Sequence, residues 1–221
     1  MFIKYGQIAE GNVVNTKIYR CFDCICEEDQ HKFLKKFRDQ PHDQEQIMDT
    51  FRELNLGAFL ASNGLNVRHD YKINGKTPDW CVVDKNLSIL VIIELSNHHV
   101  DKETQIEIER EIERRQIWFG WPKPNNARLF LRILEKINKY DIIVTEQNVP
   151  YVVSVYGDFF AAVSIDEVHQ SLFKDHGGLF NGYPVLSGVL FFCDSGGDRY
   201  KFKYIPNPKA IRKIDLPSGE F

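Results

Sequence analysis

Two carboxylates stand at the outer ends of two apolar runs in "TPDWCVVDKNLSILVIIELSNHH", residues 77–99. Asp79 opens the first run and Glu94 nearly closes the second. A hairpin symmetric about the 86/87 bond sets Asp79 opposite Glu94, Cys81 opposite Ile92 and Val83 opposite Leu90. With a side-chain period of two, these six and Ser96 share one face. Like charges directly opposite each other destabilise a sheet, and removing them from water makes this worse. A divalent cation reverses the sign. Mg2+ is commonly held by one or two carboxylates, water and substrate phosphate. The residues alone leave a second arrangement open, with the acids in solvent or paired with Lys or Arg.

Other constellations are weaker. Cys21, Cys24 and Cys26 in "CFDCIC" lack a second CxxC or CxxH pair, while Cys81 and Cys193 stand singly. A zinc site wants four ligands at workable spacing, so cysteines packed as small hydrophobes in strands are expected. His98 and His99 follow Glu94 closely. His98 is a candidate ligand or base, and His99 reads as a polar loop residue. "WFGWPKP", residues 118–124, could stack on bases, but such a cluster more often anchors a loop to the core. There is no phosphate-binding glycine loop, and "SGGDR" reads as a hairpin turn.

The elements that must position these residues are readable. "TKIYRCFDCIC" is β-prone, so one or two short strands are expected within residues 1–26. "EEDQHKFLKKFRDQ" reads as an amphipathic helix with Phe33, Leu34 and Phe37 on one face. A longer helix over about 43–63 has a capping box at Asp43 and Gln46 and a stripe of Ile47, Phe51, Leu54, Ala58 and Ala61. Asn63 and Gly64 end it. Three strands follow, "LNVRHDYKI", "DWCVVD" and "SILVIIELS", with turns at "NGK" and "KNL". A charged helix over about 101–116 reads as a solvated insertion. A helix over about 126–140 carries Arg128, Arg132, Lys136 and Lys139 as one basic stripe and Phe130, Ile133, Leu134 and Ile137 as its apolar face. "PYVVSVYGD", a Ser-capped helix, and a hairpin of "VLSGVLFFCD" with "YKFKYI" complete a mixed α/β or α+β chain around a central sheet. The tail from "PNPKA" onward reads as extended.

With 221 residues, a net charge of −3 and 16 Phe, the chain has ample core and no overall basic character. A nucleic-acid site must then be a local patch. No apolar run approaches a membrane span and "MFIKYGQIAEG" has no signal-peptide core, so a cytoplasmic protein with reduced thiols is expected.

"TPDW" followed by "VIIEL" resembles the PD-(D/E)xK nuclease superfamily, the restriction-endonuclease-like fold. "FRELNLGAFLASNGLNV" resembles its first helix with an acid at Glu53, and "YKINGKTPDW" its approach to the first catalytic strand. "LEKINKYDIIV" with "VPYVVSVYGD" resembles the helix and strand beyond the core, and "GYPVLSGVLFFCD" with "YIPNPKA" resembles a tail of some bacterial members. The likeness covers residues 44–210, carried by order and spacing more than by any single motif. It implies a restriction-endonuclease-like core over 43–221, with a helical insertion near 101–125 and residues 1–42 packed on it.

The resemblance further implies that Asp79, Glu94 and the Leu95 carbonyl bind Mg2+ or Mn2+. Glu53 would support the metal or its water, and the reaction would be phosphodiester hydrolysis in DNA, with RNA the alternative substrate. Ser96 stands where the family motif has Lys. Lys136 is the first candidate for a migrated cation and Lys76 the second; Arg128, Arg132, Lys136 and Lys139 would meet the nucleic-acid backbone. The rival expectation is a catalytically inactive nucleic-acid-binding or assembly subunit on the same fold. A homodimer or a partner protein is the expected source of sequence specificity.

Overall fold

The computed structural model describes residues 12–39, 44–98, 102–114, 126–157, 163–174, 177–196 and 199–221. The helices are α1 (Asn12–Phe22), α2 (Glu27–Asp39), α3 (Gln44–Ser62), α4 (Lys102–Glu113), α5 (Asn126–Gln147), α6 (Ile165–Phe173) and α7 (Leu179–Gly182). The strands are β1 (Val67–His69), β2 (Trp80–Val83), β3 (Ile89–His98), β4 (Tyr151–Gly157), β5 (Leu186–Gly196), β6 (Arg199–Pro206) and β7 (Gly219–Glu220). All seven strands form one mixed sheet whose spatial order follows the chain. Neighbours are antiparallel from β1 to β3, parallel from β3 to β5 and antiparallel from β5 to β7.

That order decides which helix covers which face. The β3–β4 and β4–β5 crossovers step the same way along the sheet. Two right-handed crossovers in one direction place α5 and α6 on one face. There they close a core with Ile92, Val153, Val155, Val189 and Phe191. The other face is covered by α1, α2 and α3 over Trp80, Val91, Ile93, Val152 and Phe192. β4, flanked on both faces, is buried along its whole length, as a central parallel strand should be. No helix among the described residues is long and apolar enough to cross a membrane.

Of residues 1–26, where short strands were expected, the described part forms the helix α1 over Asn12–Phe22. Lys17, Cys21 and Ile25 are buried at steps of four, with Phe22 beside them, and α1 packs on α3. This helical stripe overrides the β-branched composition of the segment. Cys21 is thus a helical core residue, and Cys24 and Cys26 lie in or beside the connection to α2. On α2, Phe33 is buried but Leu34 is 51% exposed, so the apolar face is narrower than its spacing suggested. α5 runs seven residues past the expected end, burying Ile143 and Val144 beyond the buried Tyr140. The capping box at Asp43, His99 and the 118–124 aromatics lie outside the described residues.

The turns behave as their residues require. Asn74 and Gly75 take φ of 46° and 81° between the bridged Ile73 and Lys76, and Gly64 takes 85° at the end of α3. Gly57 has a different task. A Cβ there would lie 1.9 Å from the Trp80 ring, so only glycine lets the indole lie against α3. From that position Trp80 Nε1 donates to the Glu53 carbonyl at 2.9 Å. Gly57→Ala is therefore expected to destabilise the fold by about 1–3 kcal/mol, read as a lower urea midpoint at unchanged slope.

A candidate metal centre at the free edge of β3

β2 pairs with β3 only as far as Trp80 opposite Ile93, while β3 continues to His98. Beyond that point no strand among the described residues pairs with the β2-side edge of β3, and the candidate site is built there. Cys81 lies opposite Ile92 as expected. At the far end of the hairpin Val83 meets Ile89 in place of Leu90. Leu87 takes φ 63°, and the Asp84 carboxylate accepts the Asn86 and Ser88 amides at 2.8 Å each. That side-chain-stabilised turn shifts the register by one residue and leaves Leu90 48% exposed.

Asp79 and Glu94 converge. The Asp79 amide donates to Glu94 Oε1 at 3.0 Å, and the Leu95 amide donates to Asp79 Oδ2 at 2.6 Å. N–H and C=O of one strand residue leave on the same edge, so the Leu95 carbonyl faces this space too. Lys136 Nζ, arriving from α5, lies 2.8 Å from Glu94 Oε2 and 3.8 Å from Asp79 Oδ2. Lys139 Nζ is 3.6 Å from Glu94 Oε2. Glu94 is fully buried, while the Asp79 and Lys136 side chains keep 26% and 25% of their exposure. A cavity of about 300 Å³ opens beside Asp79 and Lys136, lined also by Leu95 and Asn97 of β3, by Gln46, Asp49, Thr50 and Glu53 of α3, and by Lys36 of α2; Glu94 lies behind its lining.

Electrostatics match the geometry. Burial raises the Asp79 pKa to about 7, helped by Glu94 and Glu53. Burial likewise raises Glu53 to about 7, with Lys36 opposing and Asp70 and Glu94 reinforcing. Burial works against the Lys136 charge, but Asp79 and Glu94 outweigh it and raise its pKa. Burial is the first cause of both carboxyl shifts and the neighbouring acids add to it, so a bound cation would compete with the proton there.

Lys136, the first candidate for a migrated cation, lies beside both acids. Alternation along β3 puts residue 96 on the same side as Glu94, the side covered by α5. Ser96 is 5% exposed and, like Glu94, is not among the cavity-lining residues. His98, 1% exposed, is likewise not among them. Lys76 donates instead to the Lys139 carbonyl. On the basic stripe, Lys136 turns inward, and Arg132 stays 59% exposed beside Glu135 at 3.4 Å. Arg128 lies about 12 Å from Lys136 along the helix axis.

Glu53 lines the same cavity, and its direct contacts are with other residues. Its carboxylate lies 3.2 Å from Lys36 Nζ and 2.7 Å from His69 Nε2. Lys36, His69 and Asp70 were not legible as site residues, because α2 and β1 meet only through the fold. Lys36 alone left a sequence trace, three residues after the buried Phe33. Asn97 also lines the cavity, with its Oδ1 buried and without a hydrogen-bond partner among the described residues.

Comparison of the chain with protein-family models, with curated proteins and with solved structures gives no match.

Proposed function

We propose that the chain is a metal-dependent nuclease-like protein that hydrolyses phosphodiester bonds in DNA, a divergent member of the PD-(D/E)xK class with its lysine moved to α5. One observation carries this reading: Asp79 and the buried Glu94 converge on Lys136 at the unpaired end of β3, where Asp79 and Lys136 line an open cavity. The succession of α3 with its acid, three antiparallel strands, α5 and a parallel strand supports it. The residues fit a divalent ion. Two carboxylates converge, Asp79 Oδ1 takes no hydrogen bond from a described residue, and the Asn97 Oδ1 is an unpaired oxygen nearby. Asp79, Glu94 and the Leu95 carbonyl would hold Mg2+ or Mn2+.

A bound metal would lower the pKa of a water and neutralise a phosphate oxygen. The chain's own residues do the rest. The Leu95 amide fixes Asp79, and the Asp79 amide fixes Glu94, so neither carboxylate need reorganise on binding. Lys136 places a positive charge where negative charge develops on the phosphate. Arg132 and Arg128 extend that charge along α5 to hold the strand by its backbone, which gives binding without sequence readout.

A second reading has its own support. Glu94 Oε1 is already satisfied by the Asp79 amide and Oε2 by Lys136, so the acids are compensated without an ion. That favours a nucleic-acid-binding or assembly subunit without catalysis. Incubation with plasmid and single-stranded DNA in Mg2+ and in Mn2+ separates the two. The nuclease reading expects cleavage that falls at least about 100-fold in Glu94→Ala. Metal binding by calorimetry without cleavage of DNA or RNA favours the subunit, and cleavage undiminished in Glu94→Ala discards the site.

A further inference from the structure

Lys36, Glu53, His69 and Asp70 form a second polar constellation on the α2 side of the same cavity. We propose that it is a binding site for a borderline divalent transition metal, Zn2+ by preference, which enters by displacing the Lys36 ammonium. The proposal goes beyond the nuclease reading; it shares Glu53 with that site and requires neither Asp79 nor Glu94.

The Lys36 nitrogen already marks the position of a cation. It lies 3.2 Å from both Glu53 oxygens, 3.1 Å from His69 Nε2 and 3.4 Å from Asp70 Oδ2. One donor atom from each of Glu53, His69 and Asp70 lies within 4.8 Å of the others, a span one ion can bridge. Zinc–nitrogen and zinc–oxygen bonds of about 2.0–2.2 Å require each donor to close in by roughly 1 Å.

His69 is held in place before any ion arrives. It is fully buried, with its ring 4.2 Å from that of Phe33 and 5.1 Å from that of Trp80, centroid to centroid. Its amide donates to Asp29 Oδ2 at 3.0 Å and its carbonyl accepts from Lys32 at 2.7 Å. Its Nδ1 is buried without a hydrogen bond, and Asp70 Oδ2 stands 3.4 Å away. A fully buried imidazole fixed by aromatic packing, with an unsatisfied nitrogen and two acids beside it, is more than an acidic cluster.

Lys36 can leave. Its side chain is 32% exposed on a flexible four-carbon stem, so the ammonium can swing into water while the stem stays on α2. The donor set also separates the two centres. Imidazole with carboxylates suits Zn2+ and its neighbours, whereas Mg2+ prefers oxygen alone. The Asp79 and Glu94 centre offers only oxygen.

Titration calorimetry with Zn2+, and visible spectroscopy with Co2+ in its place, test this on the full chain. One ion is expected to bind. Lys36→Ala should tighten it about tenfold or more, by removing the competing cation. His69→Gln should weaken it about tenfold or more, and Asp79→Asn should leave it unchanged. His69 is a core residue, so Asp70→Asn, at a third-exposed position, serves as a second weakening variant, with circular dichroism checking each fold. Equal affinity in wild type, His69→Gln and Asp70→Asn overturns the proposal, as does absence of tightening in Lys36→Ala. Loss of the ion in Asp79→Asn assigns it to the other centre, and a sulfur-to-cobalt charge-transfer band assigns it to the cysteines; either overturns the proposal too. None of these failures touches Mg2+ binding at Asp79 and Glu94, which Asp79→Ala tests separately.

Discussion

Lys136→Met is expected to cut DNA cleavage about 100-fold or more and, at the same time, to strengthen divalent-metal binding. The two effects have opposite signs because Lys136 plays two parts. With DNA bound, its ammonium would face the phosphate, and losing one such charge at a closed site costs about 10²–10³ in rate. Without DNA it neutralises Glu94 at 2.8 Å and Asp79 at 3.8 Å. Removing it leaves two uncompensated carboxylates. Breaking a fully enclosed ion pair costs about 3–5 kcal/mol. A quarter of Lys136 is exposed, so the expected loss is smaller, about 1–3 kcal/mol. The metal-free variant should melt several degrees below wild type. Mn2+ should then raise its melting temperature more than it raises that of wild type. Cleavage unchanged in the variant would remove Lys136 from the chemistry. An unchanged melting temperature would remove it from the compensation of the acids.

The second large effect is a pH dependence. In the folded chain the Asp79 pKa lies near 7, against an ordinary value of 3.8. Between those values the folded protein holds a proton that the unfolded chain releases. The contribution of Asp79 to stability is therefore fully present below about pH 4 and is lost as pH rises through 7. Glu53, also raised to about 7, acts in the same direction. Asp79→Asn cannot ionise, and its side-chain oxygen can still accept the Leu95 amide. At pH 8 the metal-free variant should be more stable than wild type by a few kcal/mol at most; at pH 5.5 the difference should shrink. A metal competes with the same proton, so Mg2+ or Mn2+ should stabilise wild type more at pH 8 than at pH 5.5 and should barely affect the variant. Thermal melts at the two pH values, with and without metal, give all of these comparisons. A wild type whose metal-free stability rises from pH 5.5 to 8 relative to the variant would contradict the assigned shift.

Local periodicity made part of this site readable. The two-residue alternation on either side of "KNL" set Cys81 opposite Ile92, which brings Asp79 to Glu94. The steps of four along α5 placed Lys136 on the face that turns toward them. Registry failed only where a side chain intervened, at the Asp84 turn. Composition misled at α1, where β-branched residues concealed a helical stripe whose partner, α3, lies well beyond it in the chain. The Lys36, His69 and Asp70 cluster had no local signature, because it exists only once α2 has docked beside β1. Ser96 illustrates the converse. Its place two residues after Glu94 was plain, but its burial depends on tertiary packing.

The most direct measurement is anomalous diffraction from crystals of the protein grown or soaked in Mn2+. The account predicts one peak between the carboxylates of Asp79 and Glu94, about 2.1–2.3 Å from an oxygen of each, with the Lys136 ammonium displaced from Glu94. A well-ordered structure with the Lys136–Glu94 contact intact and no density between the two acids at saturating Mn2+ would contradict it.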